Sequence, residues 1–221
     1  ENFYKIAVEV LGKDGGEAAA NMASAEFKES HGDEPGAIKL YKSVTEDTAP
    51  PPNIAGAAFL KIGEIYRKSE RYDEAVSSFK DAVSSFKKAQ DYNGMRKSNA
   101  ITLLEDAVNT WLGILYNKGA YREVVSAYYE NKKVGITPEN MLHIANSFFK
   151  LGLLGEAENM YKIAVAVLRD SQKNEAYMGI AKLALQKGDI KAAGSAISMM
   201  DNNYKKNESY LDIETAVGDV Y

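Results

Sequence analysis

One unit recurs along this chain and constrains its fold more than any local signal. Its clearest copy runs Ile62-Gly63-Glu64-Ile65-Tyr66, followed by Ala75, Phe79 and Ala82. A small residue is followed by an aromatic three positions later. Twelve positions after the small residue comes an alanine, then another aromatic and another alanine at helical spacing. Self-similarity of this kind marks a repeat architecture, in which each unit buries its apolar face only against the next. Small residues are needed where the helix axes of a hairpin approach to about 8–10 Å, and a large ring fills the gap beside them.

The same spacing recurs elsewhere. From Ala145 it leads to Phe148, a turn at Gly152, then Ala157, Tyr161 and Ala164. From Ala181 it leads to Ala184, Gly188, Ala193, Ile197 and Met200, with aliphatics in place of rings. A looser copy at Gly113 and Tyr116 has the turn Asn117-Lys118-Gly119-Ala120, then Val124 and Tyr128. Near the N-terminus Ala37, Tyr41 and Val44 read as a second helix. An alanine-rich helix from about Glu17 to Glu29 and a turn over His31–Gly36 precede it. The key positions Ala37, Ala75, Val124, Ala157 and Ala193 lie 38, 49, 33 and 36 residues apart. The long second step predicts two extended helices, from Asp73 to Gln90 and from Met95 to Asn117. They are broken at Asp91-Tyr92-Asn93-Gly94, where Gly94 suits a C-terminal cap.

Punctuation residues sharpen the frame. Ala49-Pro50-Pro51-Pro52 predicts a stiff extended connector, because proline lacks the amide proton and fixes φ. Thr137-Pro138-Glu139 has the cap, first-turn proline and acidic residue of a helix start. The apolar run Lys162–Leu168 sits inside the helical frame set by Ala157 and Tyr161, so it reads as helix, not strand. Gly12–Gly16 and Gly152–Gly155 read as helix–helix turns; neither follows a strand nor ends in the Gly-Lys-Ser/Thr of a phosphate loop.

These residues, with the L-G-x-x-Y … A-x-x-x-F pattern at Gly63, make the chain resemble a tetratricopeptide repeat protein, whose period is about 34 residues. The resemblance implies an all-α, right-handed α-solenoid of antiparallel helix pairs, about ten to twelve helices. The expected repeats cover residues 1–14 (partial), 15–49, 53–92, 95–134, 138–171, 174–206 and 208–221 (partial) of one array. At the start, Tyr4 and Ala7 have second-helix spacing with no first helix before them; at the end, Val217–Tyr221 restarts a helix. Both suggest a fragment of a longer array, with self-association through uncapped ends as a possible outcome.

Composition excludes several functions. With 27 basic and 31 acidic residues the net charge is -4, and neither sign is concentrated, so no nucleic-acid footprint is expected. The absence of cysteine removes disulfides, thiolate catalysis and cysteine-based zinc sites, and it suits an oxidising compartment such as a bacterial periplasm or envelope. No apolar run of about 18 residues predicts membrane insertion. His31 and His143 have no partner at metal-ligand spacing, and no nucleophile elbow exposes a serine. Carboxylate pairs such as Glu105-Asp106, Glu156 with Glu158, and Glu208 with Asp212 lie on amphipathic helices and read as solvated faces. No catalytic residue, metal or cofactor is expected.

Fourteen tyrosines are the compositional outlier. Tyr41, Tyr66, Tyr116 and Tyr161 fall at signature packing positions, where the ring is buried and the hydroxyl stays wet. Tyr129, next to Tyr128, points elsewhere and is expected to be exposed.

The resemblance also implies where a partner lies. In this family the first helix of each pair lines a concave wall, at positions three before and one, four and five after the small residue. Carried over, those positions are Leu60, Glu64, Arg67 and Lys68; Thr110, Ile114, Asn117 and Lys118; Leu142, Asn146, Phe149 and Lys150; and Met178, Lys182, Leu185 and Gln186. The family's clamp for chaperone C-termini wants Lys three before and Asn one after the small residue. Only Asn146 fits, so that mode is rejected. The mixed apolar wall suits an amphipathic helix or extended segment, although several of its apolar residues have a second reading as packing between repeats. The implied function is a non-enzymatic scaffold that binds a protein or peptide partner, with no nucleic acid. Its expected setting is a bacterial assembly for envelope secretion or polysaccharide export. The alternative is a domain that senses a peptide or effector for an output domain.

Overall fold

The structure, a computed structural model, describes residues 13–46, 50–90, 97–201 and 213. The expectations at Tyr4, Ala7, Gly12, Asp91–Gly94, Glu208, Asp212 and Val217–Tyr221 lie outside the described residues.

Among the described residues all regular structure is helical. The order is α1 (Lys13–Ser30), α2 (Glu34–Glu46), α3 (Pro52–Lys68), α4 (Tyr72–Gln90), α5 (Lys97–Asn117), α6 (Tyr121–Glu130), α7 (Pro138–Lys150), α8 (Leu154–Val167), α9 (Asp170–Gln186) and α10 (Ile190–Ser198). Two compact units are present, 1–114 and 115–221, and the division falls inside α5. In the first, α1 packs on α2 and α3 on α4, with α2 against α3. In the second, α7 packs on α8 and α9 on α10, with α6 against α7 and α8 against α9. The first helices of successive pairs also meet, α1 with α3 and α7 with α9, as in stacked hairpins of an α-solenoid.

The repeating alanines and rings are the seams of these pairs. Ala37, Ala75, Val124, Ala157 and Ala193 are all fully buried, as are Tyr41 and Phe79, and Tyr161 is 1% exposed. Burying a ring of this size stabilises by about 2–3 kcal/mol, and it requires a space with no side chain opposite. Gly63 supplies that space for Phe79, whose ring would lie 3.1 Å from an added Cβ. Gly179 does the same for Tyr161, and Gly56 for Phe86.

Four turns end on a glycine at positive φ: Gly32, Gly119, Gly152 and Gly188. In each, the following residue's N–H bonds back across the last helical turn, as Leu153 does to the Phe148 carbonyl at 2.9 Å. The α3–α4 turn has the same bonds but places Glu70 at φ 58°, a conformation that costs an L-residue about 1–2 kcal/mol.

Helix starts follow their caps. The Thr137 hydroxyl accepts from the Asn140 N–H at 3.4 Å, with Pro138 at the first helical position. The Asp189 carboxylate accepts from the Ala192 N–H at 2.9 Å. Lys162–Val167 is helical, as its frame predicts.

Three local expectations are corrected. Lys13–Gly16 lies within α1 instead of forming a turn; Gly16 is buried there, and packing outweighs the intrinsic helix penalty of about 1 kcal/mol per glycine. The turn at His31–Gly36 closes by Asp33, because Pro35 is tolerated in the first turn of α2, where no helical N–H bond is lost. The proline connector is shorter than expected, because Pro52 takes the first helical position of α3 after an extended Pro51.

Candidate interaction groove

In the second unit the last turn of α5, α7, α8 and α9 enclose a groove of about 360 Å³. Its floor is a chain of three polar groups. The Tyr161 hydroxyl donates to Asn146 Oδ1 at 2.5 Å, and Asn146 Nδ2 donates to the Tyr116 hydroxyl at 3.0 Å. Tyr161 comes from α8, Asn146 from α7 and Tyr116 from α5, so the chain links three helices side by side. Burial pushes both phenols above the ordinary tyrosine range, so both remain protonated at neutral pH.

Tyr161 is held in place by Gly179 on α9, where any side chain would occupy the volume of its ring. Tyr116 is sandwiched between an edge contact to Tyr121, with centroids 5.9 Å apart, and a stack on His143 at 4.1 Å and 12°. The His143 Nδ1 lies 3.0 Å from Asn140 Oδ1. Burial holds the imidazole below its ordinary range, against the opposing pull of Glu139.

The walls combine apolar and charged groups. Phe149, Lys150, Glu175 and Lys182 line the groove with Met178, which is 5% exposed and also belongs to the core cluster beneath. Of the residues expected from sequence, Asn146, Phe149, Lys150, Met178 and Lys182 are brought together here. Leu142 is buried, and Leu185 packs on the cluster of Met178, Ala181 and Ile197, so both serve packing. Asn117 is exposed at the end of α5. Tyr116, Tyr161, Glu175 and Gly179 complete the groove without having been counted in it. The repeat positions of Tyr116 and Tyr161 predict packing and carry no information about where a hydroxyl points.

Lys118 and Gln186 are exposed in the second unit, and the remaining expected residues belong to the first. Leu60 and Ile114 are both 7% exposed and act in packing, and Thr110 is half-buried. Arg67 is exposed in the last turn of α3. Glu64 pairs with Lys61 at 3.3 Å, and Lys68 with Glu29 at 3.7 Å. Glu29 also accepts from the Tyr41 hydroxyl at 2.8 Å.

Outside the groove, Tyr129 is exposed, as expected, under the Lys132 ammonium at 4.3 Å. Its ring and that of Tyr128 both meet Phe148 edge-on, so the two neighbours converge on one ring despite their different faces. Glu158 lies between Lys162 and Lys187, at 2.6 and 2.5 Å, and these ammonium groups lower its pKa to about 2. Among the described residues no group of three potential metal ligands is present, and no helix is long and apolar enough to cross a membrane.

Stacked hairpins with a side-chain groove on their first helices define a helical-repeat protein. Tetratricopeptide repeat models match residues 57–91 in the first unit and 142–202 in the second. These two matches support assignment of the chain to the tetratricopeptide repeat family. A soluble NSF attachment protein homolog of fowlpox virus (strain NVSL) is 29% identical over 152 residues, 67% of this chain. That match covers 48% of the relative, so the chain spans about half the length of the curated relative it matches. Among solved structures, YrrB, titled a TPR protein with an unusual peptide-binding site, is similar with a TM-score of 0.60 and 16% identity, over 96% of this chain and 97% of that one. PilF of Pseudomonas aeruginosa is similar with a TM-score of 0.56 and 14% identity, over 96% of this chain and 86% of that one. Identities this low speak for the fold alone.

Proposed function

We propose that this chain is a non-enzymatic scaffold that binds a segment of a partner protein along the first helices of its pairs. The observation that carries this reading is the groove between Tyr116, Phe149, Lys150, Met178 and Lys182, which has apolar walls, charged rims and a hydrogen-bonded floor. Such a lining suits a side chain from a helix or extended segment. It lacks the paired nucleophile and base of a covalent catalyst. The name of the viral relative describes a protein that attaches to another, and an adaptor of that kind fits a repeat scaffold. A place in a bacterial envelope secretion or polysaccharide-export assembly, or an effector-sensing role ahead of an output domain, gains no support from any particular residue and is carried no further.

The test is site-specific photo-crosslinking in the source cell. A crosslinker at Lys150 or Lys182 is expected to trap a discrete protein partner. The same group at Ile163, exposed on α8, is expected to trap none. Equal yields from both faces, or a partner trapped only from α8, would remove the groove from the function.

A further inference from the structure

We propose that the groove of the second unit receives one acidic side chain from an amphipathic segment of the partner, held between Lys150 and Lys182 with the Tyr116 hydroxyl as a third donor. This rests on the reading of the groove as a segment-binding surface and specifies its chemistry.

The lysines give the first argument. Ion pairs engage Lys28, Lys61, Lys68, Lys162, Lys173 and Lys187. Lys150 and Lys182, like Lys39 and Lys191, have no carboxylate within ion-pair distance among the described residues, and Lys150 and Lys182 share one groove. Two lysines and Glu175 leave one net positive charge there, which matches a single carboxylate. A phosphate carries a larger charge and is better met by the planar fork of arginine, and none lines the groove.

The floor gives the second argument. A chain running from one hydroxyl through an amide to another hydroxyl uses one hydroxyl proton and leaves the other. As oriented, Tyr161 donates into the chain and Asn146 donates on to Tyr116, so the Tyr116 proton has no acceptor within it. With the amide turned over, the spare proton sits on Tyr161 instead, and the chain still ends in a donor. Donor chains polarise along their length and favour an anionic acceptor at the end.

Phe149 and Met178 decide the source of the carboxylate. They share the groove with the donors, so the occupant presents an acid and an apolar side chain from one face. A helical segment does this with residues three or four apart.

The test uses the whole chain with labelled methionine methyls, read by NMR at Met178, with the exposed Met199 as control. The probe is the N-acetylated, C-amidated peptide Leu-Ala-Ala-Glu. It is expected to shift Met178 saturably and leave Met199 unmoved. The glutamine twin is expected to bind about tenfold more weakly, which corresponds to about 1.4 kcal/mol. Lys150→Gln, Lys182→Gln and Tyr116→Phe are each expected to weaken the glutamate peptide, and Lys132→Gln to leave it unchanged. Equal binding of the two peptides, or no shift up to the solubility limit, overturns the acidic-residue assignment. Tighter binding by Leu-Ala-Ala-Gln with a free C-terminus also overturns it in favour of a chain end. The crosslinking experiment is independent of these results: a partner trapped at Lys150 with no glutamate preference leaves the groove standing and removes only its chemistry.

Discussion

Tyr41 and Tyr161 occupy the same place in their repeats, four residues after a buried alanine, yet their hydroxyls lead to two different surfaces. In the first unit Tyr41 donates to Glu29, which also pairs with Lys68, while Lys61 pairs with Glu64. Lys61 and Lys68 there are each met by a carboxylate of their own chain. In the second unit Tyr161 donates to the neutral Asn146, and Lys150 and Lys182 line the groove with no carboxylate partner among the described residues. The ring position is set by packing, and the surface character by the residues one and four positions after the small residue, the fully buried Ala25 in one unit and Ala145 in the other: Glu26 and Glu29 in the first, Asn146 and Phe149 in the second. A repeat can therefore keep its interior while its outer face changes from internally neutralised to open.

This contrast can be broken by experiment, starting with the packing it assumes to be shared. Gly179→Ala is expected to destabilise by about 3 kcal/mol, since its Cβ would overlap the Tyr161 ring, and it should also disturb the groove floor. Gly63→Ala, with 3.1 Å available to Phe79, is expected to cost less than about 1 kcal/mol, because the helix gains from alanine. Urea unfolding of both variants measures the difference, and equal losses would mean that the two ring seams are not distinct. Ala157→Leu, at a fully buried seam, is expected to cost about 1–3 kcal/mol in the same assay. Full stability would show the register to be wrong.

Phe149→Ala is expected to lower the crosslinking yield at Lys150 about five- to tenfold, equivalent to about 1 kcal/mol, with unchanged helical circular dichroism. A large stability loss would move Phe149 from the groove to the core. Glu70→Gly in the first unit is expected to stabilise by about 0.5–1 kcal/mol by relieving the left-handed turn, an adjustment that Gly152 and Gly188 make unnecessary in the second.

The smallest expected effect is on pH. His143 has a folded pKa below its unfolded value of 6.5, so the unfolded chain binds the proton more readily. Its contribution is present above pH 6.5 and is lost as pH falls through the folded value. The second unit is therefore expected to weaken slightly on acidification from neutral pH, and His143→Gln to flatten that slope in urea unfolding at pH 7.5 and 5.5. A slope unchanged in the variant would place the titrating group elsewhere.

The fold was legible because its signals are steric. Alanine at 37, 75, 157 and 193, the rings beside them and the cap at Thr137 each admit few packings, and the helices lie where those residues put them. Gly56 and Gly179 were missed as seam residues: a glycine inside a helix carries no sign of which ring it faces until the neighbouring repeat is in place. The groove was read in part. Counting from Ala145 and Ala181 found Asn146, Phe149, Lys150, Met178 and Lys182, because the first helix of each pair repeats with a regular pitch. The same count named Leu60, Ile114 and Leu142, which are buried, since spacing does not distinguish a side chain at the rim of a face from one turned into the seam. Glu175 and the two hydroxyls lay outside the count, because their roles arise only when three helices stand side by side.

Tyr161, wedged against Gly179 and tied to Asn146, has little room to change rotamer whether or not anything lies above it. The groove floor is thus preorganised, and a segment of the kind proposed would have to surrender conformational freedom on its own side and in the exposed Lys150 and Lys182 side chains. Stiffening that segment, by a staple or a lactam across one helical turn, is then expected to tighten association mostly by raising the fraction of productive encounters, whereas stiffening the scaffold would change little.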